Sequence, residues 1–213
     1  MRANSQSRKP AKGRIVSRYV QEADTAKKVT VRFNFLGVGD PYDENASFGG
    51  EYRFAPQWSA GSDAAYIFSS KYISNAEKTS GFILRPFVRY YPNKRKGFLE
   101  VQLHYKYASY QITDWLGKDV NTGQAAYEEY TTFQFRKKAW GVHLIGGSSA
   151  NLTENKRLRM EFYIGLGVRY KKQYVPDGIY LHQNGTFVEL YNPHYNTVVL
   201  PIGVRLVYDL KTF

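Results

Sequence analysis

Four histidines are the side chains in this sequence best suited to proton transfer or metal binding, because imidazole titrates near neutral pH. They are His104, His143, His182 and His194. Ser148 and Ser149 follow His143 by five or six residues, which is too far along an extended strand for a hydrogen bond within that strand. His182 and His194 lie in a long polar stretch without a clear carboxylate partner, which makes a weak metal signal. We therefore predict no catalytic site, no metal site and no cofactor.

Charged side chains alternate with apolar ones, most clearly between Leu158 and Tyr170. Every second residue there is apolar, and the residues between are charged, small or hydroxylated. A period of two indicates a β-strand with unlike faces, because successive side chains point to opposite sides of a sheet. The segment has 13 residues. A strand that crosses a bilayer needs roughly 9–11 residues, so the segment is long enough to span a membrane.

The same alternation recurs and predicts eight strands. They cover residues 29–37, 47–54, 59–69, 81–91, 99–107, 132–144, 158–170 and 198–208. Pro86 lies within the fourth strand and cannot donate a ladder hydrogen bond, so we expect a bulge or irregularity there. Long and short connections alternate, and the two longest, 111–131 and 172–196, fall on the same side. This pattern predicts an all-β, eight-stranded antiparallel up-and-down transmembrane β-barrel.

Composition and charge divide the chain into two parts. Residues 1–28 contain eight Lys or Arg and two Asp or Glu, a net charge of +6 out of a total of +12. A basic tail can bind nucleic acid or anionic lipid headgroups, but we expect 1–28 to be a flexible, solvated tail without a nucleic-acid partner, and 29–213 to be the barrel. No run of about 18 apolar residues occurs, which excludes a transmembrane helix. No apolar segment lies near Met1. Either an export signal has been removed or replaced, or the membrane interpretation is wrong.

The inward face of the predicted barrel carries most of the charged residues of the strands. We expect ten of them to form an ion network in the lumen: Arg32, Glu51, Arg53, Arg85, Arg89, Glu100, Arg159, Glu161, Arg169 and Arg205. An eight-stranded barrel is just wide enough for side chains to fill, and buried charges need partners. The sequence therefore predicts a polar lumen that is filled by side chains and closed to conduction.

A lipocalin-like soluble barrel has the same periodicity with the faces reversed, apolar inside and polar outside. The two faces predicted here differ too strongly for that arrangement. One face is nearly pure Val, Leu, Ile, Phe, Tyr and Trp, whereas the outside of a soluble barrel is mixed and rich in Lys and Glu. The sequence therefore favours the membrane barrel over the soluble one.

Two short motifs resemble those of a family of small outer-membrane barrels of Bacteroidota type, a family of unknown function. The first is Gly50-Glu51-Tyr52-Arg53, followed by Trp58. The second is Leu84-Arg85-Pro86-Phe87-Val88-Arg89-Tyr90-Tyr91. The resemblance covers roughly residues 28–213. It implies an outer-membrane location in a Gram-negative envelope and an eight-stranded barrel, and it implies no activity.

We therefore predict a non-enzymatic integral outer-membrane β-barrel with a periplasmic N-terminus. Its role is structural or consists of interactions through extracellular loops, either alone or as an accessory subunit of an envelope complex. The expected partners are outer-membrane lipid, lipopolysaccharide and other envelope proteins. A narrow or gated pore is the alternative, and a lipocalin-like ligand-binding barrel is a weaker one.

Overall fold

The computed structural model describes residues 28–36, 43–70, 76–92, 97–119, 121, 124–175 and 194–212. The described residues form nine strands. They are β1 (Lys28–Asn34), β2 (Asp43–Ala55), β3 (Trp58–Ser70), β4 (Ala76–Tyr90), β5 (Gly97–Lys118), β6 (Tyr127–Asn151), β7 (Leu158–Tyr174), β8 (His194–Val199) and β9 (Ile202–Thr212). Among these residues no helix is long and apolar enough to span a membrane. Of the predicted tail 1–28, only Lys28 is described, as the first residue of β1.

The nine strands form one antiparallel sheet, in which each strand from β1 to β7 pairs with the next strand of the sequence. Strand β1 pairs with both β2 and β9, and β7 pairs with both β6 and β9. The sheet therefore loops round and has an interior and an exterior face. These findings confirm the predicted all-β, up-and-down antiparallel architecture. We call the end with the β2–β3, β4–β5 and β6–β7 connections the lower end, and the opposite end the upper end.

Strands β8 and β9 are two parts of one interrupted strand. Val199 pairs with Gly167 and Ile202 pairs with Ile164, so the register along β7 is the same on both sides of the break. Within the break, Gly165 N donates a 2.7 Å hydrogen bond to the carbonyl oxygen of Pro201. Proline has no N–H to donate, which explains the interruption. Counted together, β8 and β9 give the eight strands that the sequence predicts.

The hairpin of β5 and β6 corrects the predicted loop at 111–131. Its ladder runs from Gly97↔Ser148 to Lys118↔Tyr127 without a register shift. The β6–β7 ladder ends at Arg136↔Tyr174, and the β4–β5 ladder ends at Ala76↔Ile112. The hairpin therefore extends beyond both neighbouring strands at the upper end. The predicted boundaries of β2 and β4 were also too short, since these strands begin at Asp43 and Ala76.

Pro86 interrupts one of its two ladders. The β3–β4 ladder passes through Ser62↔Pro86, whereas the β4–β5 ladder stops at Leu84↔Tyr105 and resumes at Phe87↔Gln102. The register on both sides of this gap is the same, so the irregularity that the sequence predicts is present as a pair of missing rungs without a bulge.

The exterior face is apolar over most of its height. The exposed residues of this apolar belt include Phe48, Tyr66, Leu84, Val88, Val101, Leu103, Val142, Leu144, Phe162, Ile164, Leu166, Val168, Val198 and Ile202. The residues between them point inward, and many of these are charged and buried. This orientation is opposite to that of a lipocalin-like barrel, in which the apolar face lines the interior.

Candidate functional site

The interior of the lower half is organised around Arg89 on β4, which is 0% exposed. Its Nη2 lies 2.6 Å from Glu100 Oε2 on β5, and its Nη1 lies 3.0 Å from Glu161 Oε1 on β7. The same Nη1 lies 3.1 Å from Glu51 Oε2 on β2. A guanidinium has five N–H donors in a fixed plane, so it can bind several carboxylates at once. Arg89 thereby connects four strands across the interior.

Two further arginines complete the arrangement. Arg32 Nη2 lies 3.2 Å from Asp63 Oδ2 and 3.5 Å from Glu100 Oε2. Arg205 Nη1 lies 3.6 Å from Glu100 Oε2, and Arg205 Nε lies 3.8 Å from Glu161 Oε2. We name as the ion cluster the residues Arg32, Glu51, Asp63, Arg89, Glu100, Glu161 and Arg205. Its three guanidinium groups face four carboxylates, so the buried charges nearly balance, as buried charges require.

Each arginine of the ion cluster also stacks on an aromatic ring. The guanidinium carbon lies 3.9 Å from the ring centre of Phe98 for Arg89 and 4.0 Å from that of Phe87 for Arg32. For Arg205 the corresponding ring is that of Tyr163, at 4.1 Å. Such contacts are attractive because a cation faces the negative face of the ring. The rings fill the space between the ion pairs and fix the planes of the guanidinium groups.

Glu51 has polar partners on the lower side of the ion cluster. Ser59 Oγ donates a 2.6 Å hydrogen bond to Glu51 Oε1, and the hydroxyl of Tyr91 donates to the same oxygen. The other carboxylate oxygen, Oε2, faces Arg89 and, at 3.8 Å, Arg32 Nη1. Glu51 is therefore in contact with two of the arginines of the predicted network.

Six of the ten predicted network residues belong to the ion cluster, and four do not. Arg53 stacks on Tyr91 at the lower rim, with its guanidinium carbon 3.9 Å from the ring centre. Arg159 Nη2 lies 2.7 Å from Asp209 Oδ1, also near the lower rim. Arg85 lies half-buried, and its position in the ladder is opposite Asp63. The fourth of these residues, Arg169, contacts His143.

Sequence reasoning missed Asp63 and Asp209 as partners. Asp63 points inward from β3, where its neighbours along the strand are small residues. Its inward phase was visible in the sequence, but its distance from Arg32 depends on how the sheet closes. Asp209 pairs with Arg159 because β7 and β9 are neighbours, which also becomes visible only once the sheet closes.

Two histidines lie above the ion cluster. The ring centres of His104 and His143 are 5.1 Å apart. His143 Nδ1 lies 3.2 Å from Gln102 Oε1, and Arg169 Nε donates a 3.0 Å hydrogen bond to His143 Nε2. Both ring nitrogens of His143 are therefore engaged with groups other than a serine or a carboxylate. Among the described residues no group of His, Asp and Glu side chains could hold a metal ion. His182 lies outside the described residues.

The interior changes from charged to apolar towards the upper end. We name as the apolar cluster the buried residues Ala65, Ile67, Ile83, Ala108, Tyr110, Ile112, Leu116, Phe133 and Phe135. Between it and the ion cluster, Tyr110 Oη donates a 3.0 Å hydrogen bond to Asp43 Oδ1, and Lys106 pairs with the same carboxylate. Side chains thus occupy the interior at both levels.

At the same level, the exterior of β5 and β6 changes from apolar below to polar above. On the lower part of β5, Val101 is exposed on the outside and Gln102 is buried inside. Above Tyr107 the order is reversed: Ile112 is buried inside, and polar Gln111 points outward. Strand β6 inverts in the same way between its lower part, where Val142 is exposed and His143 buried, and its upper part, where Gln134 is exposed and Phe135 buried.

A row of rings on the exterior marks the level of this inversion. We name as the aromatic row Phe82, Tyr105, Trp140, Tyr170 and His194, one residue from each of β4 to β8. Successive ring centres are 5.7, 5.8, 6.2 and 6.0 Å apart. Tyr170 Oη also lies 2.9 Å from His194 Nδ1. At the lower end, the rings of Trp58 and Tyr90 form a second contact, with centres 5.0 Å apart.

Comparison with known families identifies the group to which this sequence belongs. The model of a family described as "Protein of unknown function (DUF3575)" matches residues 15–210. The chain belongs to the DUF3575 family. The match covers all strands from β1 to β8 and nearly all of β9, so the closed sheet and the ion cluster lie within the part shared with DUF3575. No curated protein and no solved structure matches the chain.

Proposed function

We propose that this DUF3575 protein is an integral outer-membrane β-barrel whose role is structural or consists of binding another envelope protein. The observation that carries the proposal is the inversion of polarity on β5 and β6 at the level of the aromatic row. In water, an exposed surface is mixed or polar. An exterior that is apolar below one level and polar above it fits a barrel whose strands pass out of the hydrocarbon core of the membrane at that level.

The height of the apolar belt supports this proposal. Tyr90 near the lower end of β4 and Phe82 in the aromatic row are eight residues apart. Eight residues rise about 26 Å along a strand, and a tilt of about 40° reduces this to about 20 Å across the membrane. The apolar band of outer-membrane barrels is about 25 Å tall and is bounded on both sides by aromatic residues. The two levels of rings, about 20 Å apart, are therefore within about 5 Å of the spacing of two membrane interfaces.

The filled interior favours a role that needs no channel. The ion cluster occupies the lower half of the interior, and the apolar cluster occupies the upper half on the side of β3 to β6. An eight-stranded barrel encloses little more space than its own side chains fill. Conduction through the lower level would require separating buried ion pairs. We therefore place the pore second to the structural or interaction role.

The upper part of the β5–β6 hairpin is the element best suited to contact another protein. Trp115 and Tyr130 point to the same side, with ring centres 5.5 Å apart, and are 45% and 59% exposed. Tyr127 at the end of β6 is 53% exposed. Tyrosine and tryptophan are enriched at the centres of protein interfaces. In the proposed orientation this pair faces the extracellular side, where an envelope partner would meet it.

Density-gradient separation of the two membranes of a Gram-negative host tests the location. We expect the protein in the outer-membrane fraction, resistant to alkaline extraction, and faster on unheated than on heated gels because the barrel stays folded. Recovery in a soluble fraction would contradict the proposal. Purification at low detergent concentration followed by mass spectrometry tests the interaction role. We expect a co-purifying envelope protein that is lost from Trp115→Ala/Tyr130→Ala, and a protein that always migrates alone would contradict that role.

A further inference from the structure

Two lysines face each other on the exterior directly above the aromatic row. Lys138 on β6 and Lys172 on β7 are direct partners in the ladder, one pleat above the pair Trp140↔Tyr170. Like charges at directly opposite positions destabilise a sheet. Neither lysine forms an ion pair with a carboxylate of the described residues. The two lysines therefore place positive charge at this point that no carboxylate of the described residues pairs with.

Arg136, two residues further up β6, extends this charge. Its Nη2 donates a 2.8 Å hydrogen bond to Gln134 Oε1, and its guanidinium carbon lies 5.8 Å from the ring centre of Tyr174. We name as the basic strip Arg136, Lys138 and Lys172. The other outward positions of β4 to β7 at and above this level are Lys78, Ser80, Tyr107, Ser109, Gln111, Thr113, Trp115, Gly117, Glu128, Tyr130, Thr132, Gln134 and Tyr174. The acidic side chains exposed in this region include Glu77, which accepts a hydrogen bond from Thr113 at the upper edge, and Glu128, which lies eight residues further along the hairpin than Arg136, near its tip.

An apolar depression lies directly below the basic strip. It has a volume of about 540 Å³ and is lined by, among others, Leu103, Trp140, Val142, Val168 and Tyr170. Trp140 and Tyr170 are the outward residues next below Lys138 and Lys172 on the same two strands. Positive charge above an apolar depression is complementary to an anionic lipid, whose charged headgroup lies above its apolar chains.

We propose that the basic strip and the depression below it bind a glycolipid that carries two phosphate groups, of the lipid A type, from the outer leaflet. This inference rests on the proposed membrane location, which places the aromatic row at the headgroup level. The phosphates would lie between Lys138, Lys172 and Arg136, and an acyl chain would follow the depression past Trp140. A diphosphorylated headgroup fits three cations better than a headgroup with a single phosphate, because each phosphate then has a cation of its own.

Native mass spectrometry of the refolded full chain in detergent tests the site, with four lipids offered separately. They are diphosphoryl lipid A, monophosphoryl lipid A, phosphatidylglycerol and phosphatidylcholine. We expect diphosphoryl lipid A to bind most tightly. Lys138→Gln/Lys172→Gln should weaken its binding at least tenfold. The matched control is Lys156→Asn/Arg157→Gln, which removes two positive charges from the lower β6–β7 turn and should bind like the unmodified chain.

Three results would overturn the inference. They are equal binding of diphosphoryl lipid A by both double variants, equal affinity for phosphatidylglycerol and diphosphoryl lipid A, and no lipid bound at all. Heat-modifiable migration of each variant shows whether its barrel has folded. A chain that folds and inserts into lipid vesicles but binds lipid A without help from the two lysines contradicts this inference only. A chain that does not insert into vesicles contradicts the proposed function itself.

Discussion

Arg89 Nη1 lies 3.0 Å from Glu161 Oε1, although their strands, β4 and β7, are not neighbours in the sheet. The ion pair therefore crosses the interior instead of following the ladder. Both side chains are essentially unexposed. A contact of this kind can form only when the sheet has looped round, so the ion cluster and the closure of the sheet depend on each other.

Replacement of Arg89 should be among the most destabilising single changes in the lower half. Arg89→Met leaves three carboxylates, of Glu51, Glu100 and Glu161, without their shared cation. Breaking a buried ion pair typically costs about 3–5 kcal/mol. Urea unfolding in lipid vesicles measures the change in the free energy of unfolding. Arg53→Met is the matched control, and it should cost clearly less because Arg53 stacks on Tyr91 at the rim. Equal losses for the two variants would contradict the central place of Arg89.

The effects of Glu51 and Arg89 should not add. Glu51→Gln alone destabilises the fold, because Arg89 and Arg32 lose one of their carboxylates. In the double variant Glu51→Gln/Arg89→Met the loss should be smaller than the sum of the single losses. Coupling energies between contacting residues are about 0.5–3 kcal/mol. The same unfolding measurement on the unmodified chain, the two single variants and the double variant gives the coupling energy. Strict additivity would show that the two side chains do not interact.

A charge at the middle of the apolar belt distinguishes a membrane wall from a soluble surface. Ile164 is 61% exposed on the outside of β7. In lipid, Ile164→Arg should cost about 2–4 kcal/mol, the usual cost of an arginine at the bilayer midplane. The control is Leu152→Arg, because Leu152 is 47% exposed in the lower β6–β7 turn, outside the belt. If Ile164→Arg is as stable as the control in vesicles, the exterior of β7 does not face lipid.

Gly203 allows the ring of Tyr163 to pack against the backbone of β9. The two residues are partners in the β7–β9 ladder, and a Cβ at Gly203 would overlap the ring. Gly203→Ala should therefore destabilise the fold by about 1–3 kcal/mol, as overpacking commonly does. Gly50→Ala is the control, since the nearest atom to a Cβ there is Thr30 O at 4.0 Å. In a Tyr163→Ala background, Gly203→Ala should have little further effect, and a persistent loss would point to a different cause.

The strands of the apolar belt were predictable because their alternation keeps one phase. On β7, apolar residues face outward from Leu158 to Tyr170, and the structure extends this strand only to Tyr174. The upper part of the β5–β6 hairpin was not predictable in the same way. Between Tyr107 and Ile112 the apolar residues move from the odd to the even positions. A prediction that relies on one continuous alternation of apolar residues ends the strand at this change, although the strand continues without a break.

The ion cluster was predictable in composition but not in its pairing. The inward phase of each strand identifies which side chains enter the interior, and it placed Arg32, Glu51 and Arg89 there. Their partners depend on the height of each residue and on which walls face each other. Arg159 and Arg53 illustrate the difference, because their positions near the lower ends of β7 and β2 direct them to the rim. Alternation along one strand contains no information on these distances.

The quenching of tryptophan fluorescence by brominated lipids tests the membrane account most directly, because the three tryptophans lie at different levels. Trp58 lies at the lower rings, Trp140 in the aromatic row and Trp115 on the upper hairpin. Single-tryptophan variants in vesicles should show strongest quenching of Trp58 and Trp140 by bromines near the headgroups, and almost none of Trp115. A tryptophan introduced by Leu144→Trp should be quenched most by bromines deep in the chains. Equal accessibility of all four positions to an aqueous quencher, with no quenching by any brominated lipid, would contradict the account.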